Sequence, residues 1–168
     1  SLLFLGRPSE AVAILDILNV LPSESGRDSH TLFEAAHLLN SINNFELGKL
    51  TDAEHHARQA LEWPEHLGQG RPYEPDERAA AYILFRIAEA NAQSETARIK
   101  ADEFFKMDAH FGENSSPFSA LGNDILKRLG RTQEADSRAT SPEKSTPMAT
   151  KSLIDLLVEK SINMTTHK

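Results

Sequence analysis

The chain contains no cysteine, only one tryptophan, and no apolar run close to the ~20 residues that a membrane span requires. Without cysteine it cannot form a disulfide, a cysteine-ligated zinc site or a thiol nucleophile. The formal net charge of −7 argues against nucleic acid or an anionic membrane as a partner, because both require a clustered basic surface. We therefore expect neither partner, and we expect a cytoplasmic protein.

Strand-like alternation is also nearly absent, whereas small and apolar residues recur with helical spacing along most of the chain. This pattern predicts an all-α fold. Thr31 and Thr51 are each followed three residues later by glutamate, which predicts that each begins a helix through a capping box. The predicted helices begin near Ser9, Thr31, Thr51, Asp76, Ser94, Ser116 and Thr132.

One short pattern recurs at four predicted helix–helix junctions: a small residue, four intervening residues and an alanine. Its alanines are spaced 42, 44 and 38 residues apart, at Ala11, Ala53, Ala97 and Ala135. Tetratricopeptide repeats have a period of about 34 residues, so the spacing predicts such repeats with insertions. We expect a right-handed helical-repeat fold over residues 1–139. The alternative is an ordinary helical bundle whose turns resemble one another.

The composition changes after this region. Residues 140–151 are rich in serine, threonine and proline and are predicted to be a flexible linker. Residues 152–163 are predicted to form an amphipathic helix with Leu153, Leu156 and Leu157 on its apolar face. We expect this helix to cover the end of its own chain, with exchange between two copies, and hence a homo-oligomer, as the competing outcome.

The segment between Trp63 and Pro75 interrupts the helical pattern with three prolines and two glycines. Proline ends a helix, and a loop this long inside a helical protein is often functional. A buried Trp63 ring that folds back on its own helix is the favoured alternative to an exposed stacking platform. Arg71 could equally pair with a neighbouring carboxylate. The candidate interaction residues are Trp63, His66, Arg71, Tyr73 and Arg78.

His30, Glu34 and His37 share one face of a predicted helix and are weak candidates for metal ligands. Their spacing is not the His-Glu-x-x-His arrangement, and zinc would need a further ligand with fixed supporting partners. Glu34 is equally explained by a capping box with Thr31. A polar helix face or a hydrogen-bonded histidine is the favoured interpretation, so we expect no cofactor.

Two stretches carry a resemblance to a known family: His30 to Leu39, and Leu61 to Arg78 with its Trp-Pro-Glu-His-Leu-Gly-Gln-Gly-Arg-Pro-Tyr-Glu-Pro segment. They resemble the tetratricopeptide-like C-terminal region of a poorly characterised family. In that family a β-sandwich module similar to carbohydrate-active domains precedes the repeats. The resemblance covers roughly residues 6–139 and implies helical repeats. Because it does not include the β-sandwich module, it implies no enzymatic activity.

The sequence therefore predicts a non-catalytic scaffold that binds a protein, a peptide or an adjacent domain of the same polypeptide. No serine–histidine–aspartate arrangement can be assembled with any specificity, so we expect no enzymatic activity and assign no catalytic residue. One alternative is the accessory region of a carbohydrate-active enzyme. A small metal-dependent enzyme is the other, and it depends only on the histidines.

Overall fold

The computed structural model describes residues 5–7, 9–10, 13–14, 29–64, 71–111, 118–139 and 153–164. All regular structure within these ranges is helical, which confirms the predicted all-α class. Seven helices have described bounds: α1 (Ser29–Glu46), α2 (Leu50–Gln59), α3 (Arg78–Ala90), α4 (Ser94–Phe111), α5 (Ser119–Arg128), α6 (Thr132–Ala139) and α7 (Leu153–Ile162).

The chain divides into two compact units between Pro75 and Asp76. In the first unit, α1 packs against α2. In the second, α3 packs against α4 and α5 against α6, while α7 contacts both α3 and α5. The predicted repeat region over residues 1–139 includes most of each unit, and it stays a prediction. None of the described helices is both long enough and apolar enough to cross a bilayer.

The turns within the three helix pairs share one backbone geometry. Gly48, Ala92 and Gly130 have φ angles of +73°, +55° and +75°. In each case the N–H of this residue donates to the carbonyl three residues earlier, and the next N–H donates to the carbonyl five residues before it. This is the Schellman arrangement, which satisfies carbonyls left unpaired at the end of a helix. Gly6, which leads the fourth copy of the sequence pattern, also has a positive φ of +70°.

The alanine five residues after each turn is buried. The N–H groups of Ala53, Ala97 and Ala135 donate to the carbonyls of Lys49, Gln93 and Arg131. The first carbonyl of each second helix thus belongs to the residue directly after the left-handed one, and the helix itself starts one residue later. A methyl side chain at this position lets the two helices of a pair lie close together. The recurring sequence pattern therefore predicted the turn and the contact that follows it.

The predicted capping boxes are wrong. Helix α2 begins at Leu50 with Lys49 at the N-cap and no side-chain capping bond, so Thr51 lies inside the first turn. Helix α1 already includes Ser29, which places Thr31 inside the helix as well. A capping residue must have a non-helical backbone, and neither threonine does. The predicted helix start at Ser116 and the linker at 140–151 lie outside the described residues.

The C-terminal helix docks on its own chain, as predicted, because α7 contacts α3 and α5. The residues it buries differ from the expected leucine stripe. Leu157 is buried and Leu156 is half-buried, while the side chain of Leu153 lies outside the described part. Val158 and Met164 are buried in addition.

The left-handed backbone at Ala92 predicts that replacing this alanine with glycine stabilises the protein. An L-residue with a left-handed backbone costs about 1–2 kcal/mol, part of which the smaller unfolded-state entropy of alanine offsets. Ala92→Gly should therefore raise the free energy of unfolding by about 1 kcal/mol, as measured by urea denaturation. Gly48→Ala should lower it by a similar amount, because a Cβ there meets no atom within 4 Å and the cost is only conformational.

Ala90, the last residue of α3, provides the control for this prediction. Ala90→Gly should lower stability, since glycine is a poor helix former, by about 0.5–1 kcal/mol. If both alanine-to-glycine variants lose stability, the backbone at Ala92 is not left-handed.

Candidate functional site

Trp63 lies at the end of the first helix pair and stacks on His30 of α1. The two rings are 3.4 Å apart between centroids and within 3° of parallel. The His30 Nε2–H donates to the Glu62 carbonyl at 2.9 Å, which holds the imidazole in place. Trp63 is half-buried, so the ring anchors this segment, but its stacking partner is in the preceding helix rather than its own.

A chain of polar groups connects three segments of the first unit. The Ser9 hydroxyl donates to Asn40 at 3.0 Å, the Asn40 amide bonds His56 Nε2 at 2.8 Å, and the Nδ1 atoms of His56 and His37 are 3.1 Å apart. A hydrogen bond between two ring nitrogens requires one of them to be unprotonated. Because the Asn40 amide nitrogen donates to His56 Nε2, His56 carries its proton on Nδ1 and donates it to His37 Nδ1. Both imidazoles are therefore neutral while these two bonds exist.

The three weak metal candidates do not form a metal site in the described part of the chain. His30 stacks on Trp63 and donates from Nε2, while His37 bonds His56. Among the described residues, no group of three or more histidine, aspartate or glutamate side chains is placed to hold a metal ion. The helical spacing predicted a shared face, but the histidines on that face bond other partners.

The five predicted interaction residues have different environments. His66 lies outside the described residues, and Trp63 is half-buried. Arg71 is exposed, and Tyr73 is 97% exposed. Arg78 is only 3% exposed, which contradicts its prediction as a contact residue. Of this set, only Arg71 and Tyr73 have side chains that the structure describes as exposed.

Arg78 is buried because it is the centre of an ion network. Its Nε and Nη2 atoms donate to the two carboxylate oxygens of Asp76 at 2.9 and 2.8 Å. Its Nη1 atom donates to Asp108 of α4 at 2.8 Å, and its guanidinium lies 4.2 Å from the centroid of the Phe118 ring. Charged pairs with several hydrogen bonds can offset the cost of removing them from water.

Asp108 connects this network to α6. Its second carboxylate oxygen accepts a hydrogen bond from Arg138, whose guanidinium also lies 5.6 Å from the Phe105 ring centroid. Arg138 reaches Asp108 across Gly122 of α5. A Cβ at Gly122 would lie 3.2 Å from Arg138 Nη2 and 3.3 Å from Phe104, so the missing side chain gives the arginine its path.

A second polar cluster joins α3 and α5. The Tyr82 hydroxyl donates to Asp124 at 2.7 Å and accepts a bond from Arg86 Nη1 at 3.0 Å. Burial raises the pKa of the Tyr82 phenol far above its ordinary value, so the hydroxyl stays protonated. Arg128 donates to Asp124 at 2.6 Å and to Glu89 of α3 at 3.0 Å.

Arg86 also makes the contact that joins this cluster to the segment after α7. Its Nη2 atom donates to the backbone carbonyl of Met164 at 2.6 Å. The guanidinium is 4% exposed and lies 3.5 Å from Glu89 and 3.8 Å from Asp124. The cluster thus holds the second residue after α7 by its main chain.

Sequence reasoning missed Arg86, Asp108 and Arg138, although a signal was present for two of them. Asp108 lies four residues after Phe104 and seven after Ala101, on the apolar face of α4. Arg86 interrupts an otherwise apolar run in α3. A charged residue within an apolar face indicates a buried ion pair, because an unpaired charge there would be too costly.

No family model, curated protein or solved structure matches this chain. The resemblance to a tetratricopeptide-like family therefore remains a prediction from the sequence.

The buried ion network predicts that an isosteric substitution of Asp108 destabilises the protein strongly. Asp108→Asn removes the negative charge between Arg78 and Arg138 and should lower the free energy of unfolding by about 3 kcal/mol. Glu103→Gln, which alters an exposed pair with Lys100 on the same helix, should cost less than about 1 kcal/mol. Equal stabilities of the two variants in urea denaturation would contradict the network.

The stack of Trp63 on His30 predicts a smaller loss of stability when Trp63 is truncated. Trp63→Ala removes a half-buried ring and should lower the free energy of unfolding by about 2 kcal/mol, below the ~3–5 typical of fully buried aromatics. Trp63→Phe should lose less, since a phenyl ring can still stack on His30. Thermal and urea unfolding would measure the stability of both variants. If Trp63→Ala is as stable as the parent, the ring does not contribute to the stability of the first unit.

Proposed function

We propose that this chain is a non-catalytic helical-repeat scaffold that binds a protein or peptide partner. The observation that supports this most is the recurrence of one turn geometry and one buried alanine in three successive helix pairs. Helical-repeat proteins stack such pairs and use the resulting surfaces for binding. A tetratricopeptide-like, right-handed arrangement of the pairs is part of this proposal.

The polar interior of the second unit supports a scaffold rather than an enzyme. Arg78 and Arg138 both bond Asp108, which connects three helices. Tyr82 bonds Asp124, and Arg86 bonds the Met164 carbonyl. Each of these groups stabilises a contact between helices. Such buried networks fix the relative positions of helices, which a binding surface requires.

The segment from Arg71 to Pro75 supplies the candidate contact surface of the first unit. Tyr73 is almost fully exposed and Arg71 is exposed, and both residue types are enriched among the residues that dominate binding energies. Pro72 and Pro75 restrict the backbone on both sides of Tyr73. This restriction lowers the entropy cost of ordering the segment on a partner.

A displayed library of random peptides, selected against the immobilised full chain, would test this function. We expect selected peptides to bind with dissociation constants of about 1–100 µM by isothermal titration. Tyr73→Ala should weaken this binding at least tenfold without changing the thermal unfolding midpoint.

Leu47→Ala is the matched control, because Leu47 is also a large exposed side chain of the first unit. It should leave the affinity unchanged. A library that yields no peptide binding more tightly than about 1 mM would refute the scaffold function. Binding that does not change in the Tyr73→Ala variant would place the contact surface elsewhere and refute the role of this segment.

The accessory region of a carbohydrate-active enzyme is a second candidate, which the exposed ring of Tyr73 favours. An aromatic face in water can stack on a sugar ring, as it can on other apolar surfaces. Titration with soluble oligosaccharides, followed through the backbone amide signals of the first unit by NMR, would test it. Saturable shifts that are lost in Tyr73→Ala support this candidate, and unchanged spectra exclude those sugars as ligands.

A further inference from the structure

The first unit contains four hydrogen-bonded polar side chains that take no part in the proposed binding function. We call this set the histidine chain. It consists of Ser9, Asn40, His56 and His37, joined in this order by hydrogen bonds of 3.0, 2.8 and 3.1 Å. Asn40 and His37 are buried in α1, and His56 is half-buried in α2. The histidine chain therefore joins α1 to α2 and holds both to the segment that contains Ser9.

While both imidazoles are neutral, every bond of the histidine chain points in the same direction. The Ser9 hydroxyl donates to the Asn40 carbonyl oxygen, and the Asn40 amide nitrogen donates to His56 Nε2. His56 Nδ1–H then donates to His37 Nδ1. Each donor thus meets one acceptor, and no charge is buried.

The histidine chain can take up one proton without losing a bond. If the proton binds His56 at Nε2, this nitrogen becomes a donor, and a flip of the Asn40 amide turns the carbonyl oxygen toward it. The Asn40 amide nitrogen then donates to Ser9, whose hydroxyl can accept as well as donate. His56 Nδ1–H still donates to His37. The charge lies on the half-buried imidazole, where water is nearest.

A second proton breaks the histidine chain. If His37 also binds a proton at Nδ1, two donors and two positive charges face each other where the nitrogens are now 3.1 Å apart. The open state therefore binds one more proton than the closed state, so the closed state is lost as the pH falls. A bond from a charged imidazole favours the closed state roughly 10- to 100-fold. Since an ordinary imidazole titrates near pH ~6.5, opening should occur about one to two pH units lower.

We propose that the histidine chain is an acid-operated latch. It holds the segment of Ser9 on α1 and α2 while it carries no added proton or one, and the binding of a second proton at His37 releases this segment. The inference goes beyond the proposed binding function and does not depend on it, because Tyr73 is not a member of the histidine chain.

Other ionisable side chains lie within four residues of a member of the histidine chain, on all three of its segments. They are Arg7, Glu10, Glu34, Asp52, Glu54, His55 and Arg58. Arg7 pairs with Glu10 and Arg58 with Glu54, and the hydrogen bond from Arg7 lowers the pKa of Glu10. Ordinary carboxyl groups titrate near pH ~4, below the expected opening. The exposed ring of His55 lies 5.5 Å from that of His56 and provides a control.

The experiment uses the full chain with isotope-labelled histidine and serine. NMR can detect a scalar coupling between two nitrogens that share a hydrogen bond. This coupling should join His37 Nδ1 to His56 Nδ1 at about pH 7.5 and still at about pH 6, and it should vanish between about pH 5.5 and 4.5. The Ser9 Cβ signal should shift with the same midpoint, because the segment is released in that step.

Three results on the parent chain would overturn the proposal. Absence of the coupling at about pH 7.5 would show that the two histidines do not share a hydrogen bond. Its loss already between about pH 7 and 6 would show that the first proton breaks the histidine chain. A Ser9 signal that does not shift when the coupling vanishes would show that the histidine chain does not hold this segment.

Two variants then identify the residue that senses the second proton. His37→Asn keeps an acceptor oxygen near the position of Nδ1 but binds no proton, so the Ser9 signal should keep its neutral-pH position down to about pH 4.5. His55→Asn removes an exposed imidazole outside the histidine chain and should release Ser9 in the same pH range as the parent. Release of Ser9 in His37→Asn at the parent's midpoint contradicts the role of His37, and a retained Ser9 in both variants contradicts the latch. The measurements on the parent chain stand without either variant.

Discussion

The left-handed residue that ends the first helix of each pair is the constraint on which the rest of the structure depends. At Gly48, Ala92 and Gly130 a single positive φ reverses the chain, and the next residue already accepts the first hydrogen bond of the following helix. The two helices of a pair are therefore joined by a tight turn of three residues. This brings the alanine five residues later into the contact between them, where a larger side chain would separate the helices.

The charged interior of the second unit depends on this close approach. Asp108 of α4 can bind Arg78 and Arg138 together only because the paired helices lie close and Gly122 leaves a path for Arg138. The second cluster, around Tyr82 and Asp124, holds Arg86 where it meets the Met164 carbonyl. A buried guanidinium thus connects the packing of two helix pairs to the position of the C-terminal helix.

The sequence predicted features that depend on neighbouring residues and missed those that depend on distant partners. The turns followed from the glycines at 48 and 130 and the alanine pattern, since left-handed backbone and close packing are both local requirements. The capping boxes failed because each helix includes residues before its threonine. The local pattern predicts Arg78 as a contact residue, whereas its partner Asp108 lies 30 residues away in the chain. The stack of Trp63 on His30 likewise joins residues that no local pattern relates.

The backbone of Ala92 is the most direct place to test this account, because an alanine has no intrinsic preference for a left-handed conformation. NMR of the labelled chain can measure its φ angle through the amide–Hα coupling and the intraresidue amide–Hα cross-relaxation. The account predicts a positive φ at Ala92, with helical values up to Ala90 and again from Ser94. A negative, helical φ at Ala92 would mean that α3 and α4 continue as one helix, and it would contradict the paired arrangement.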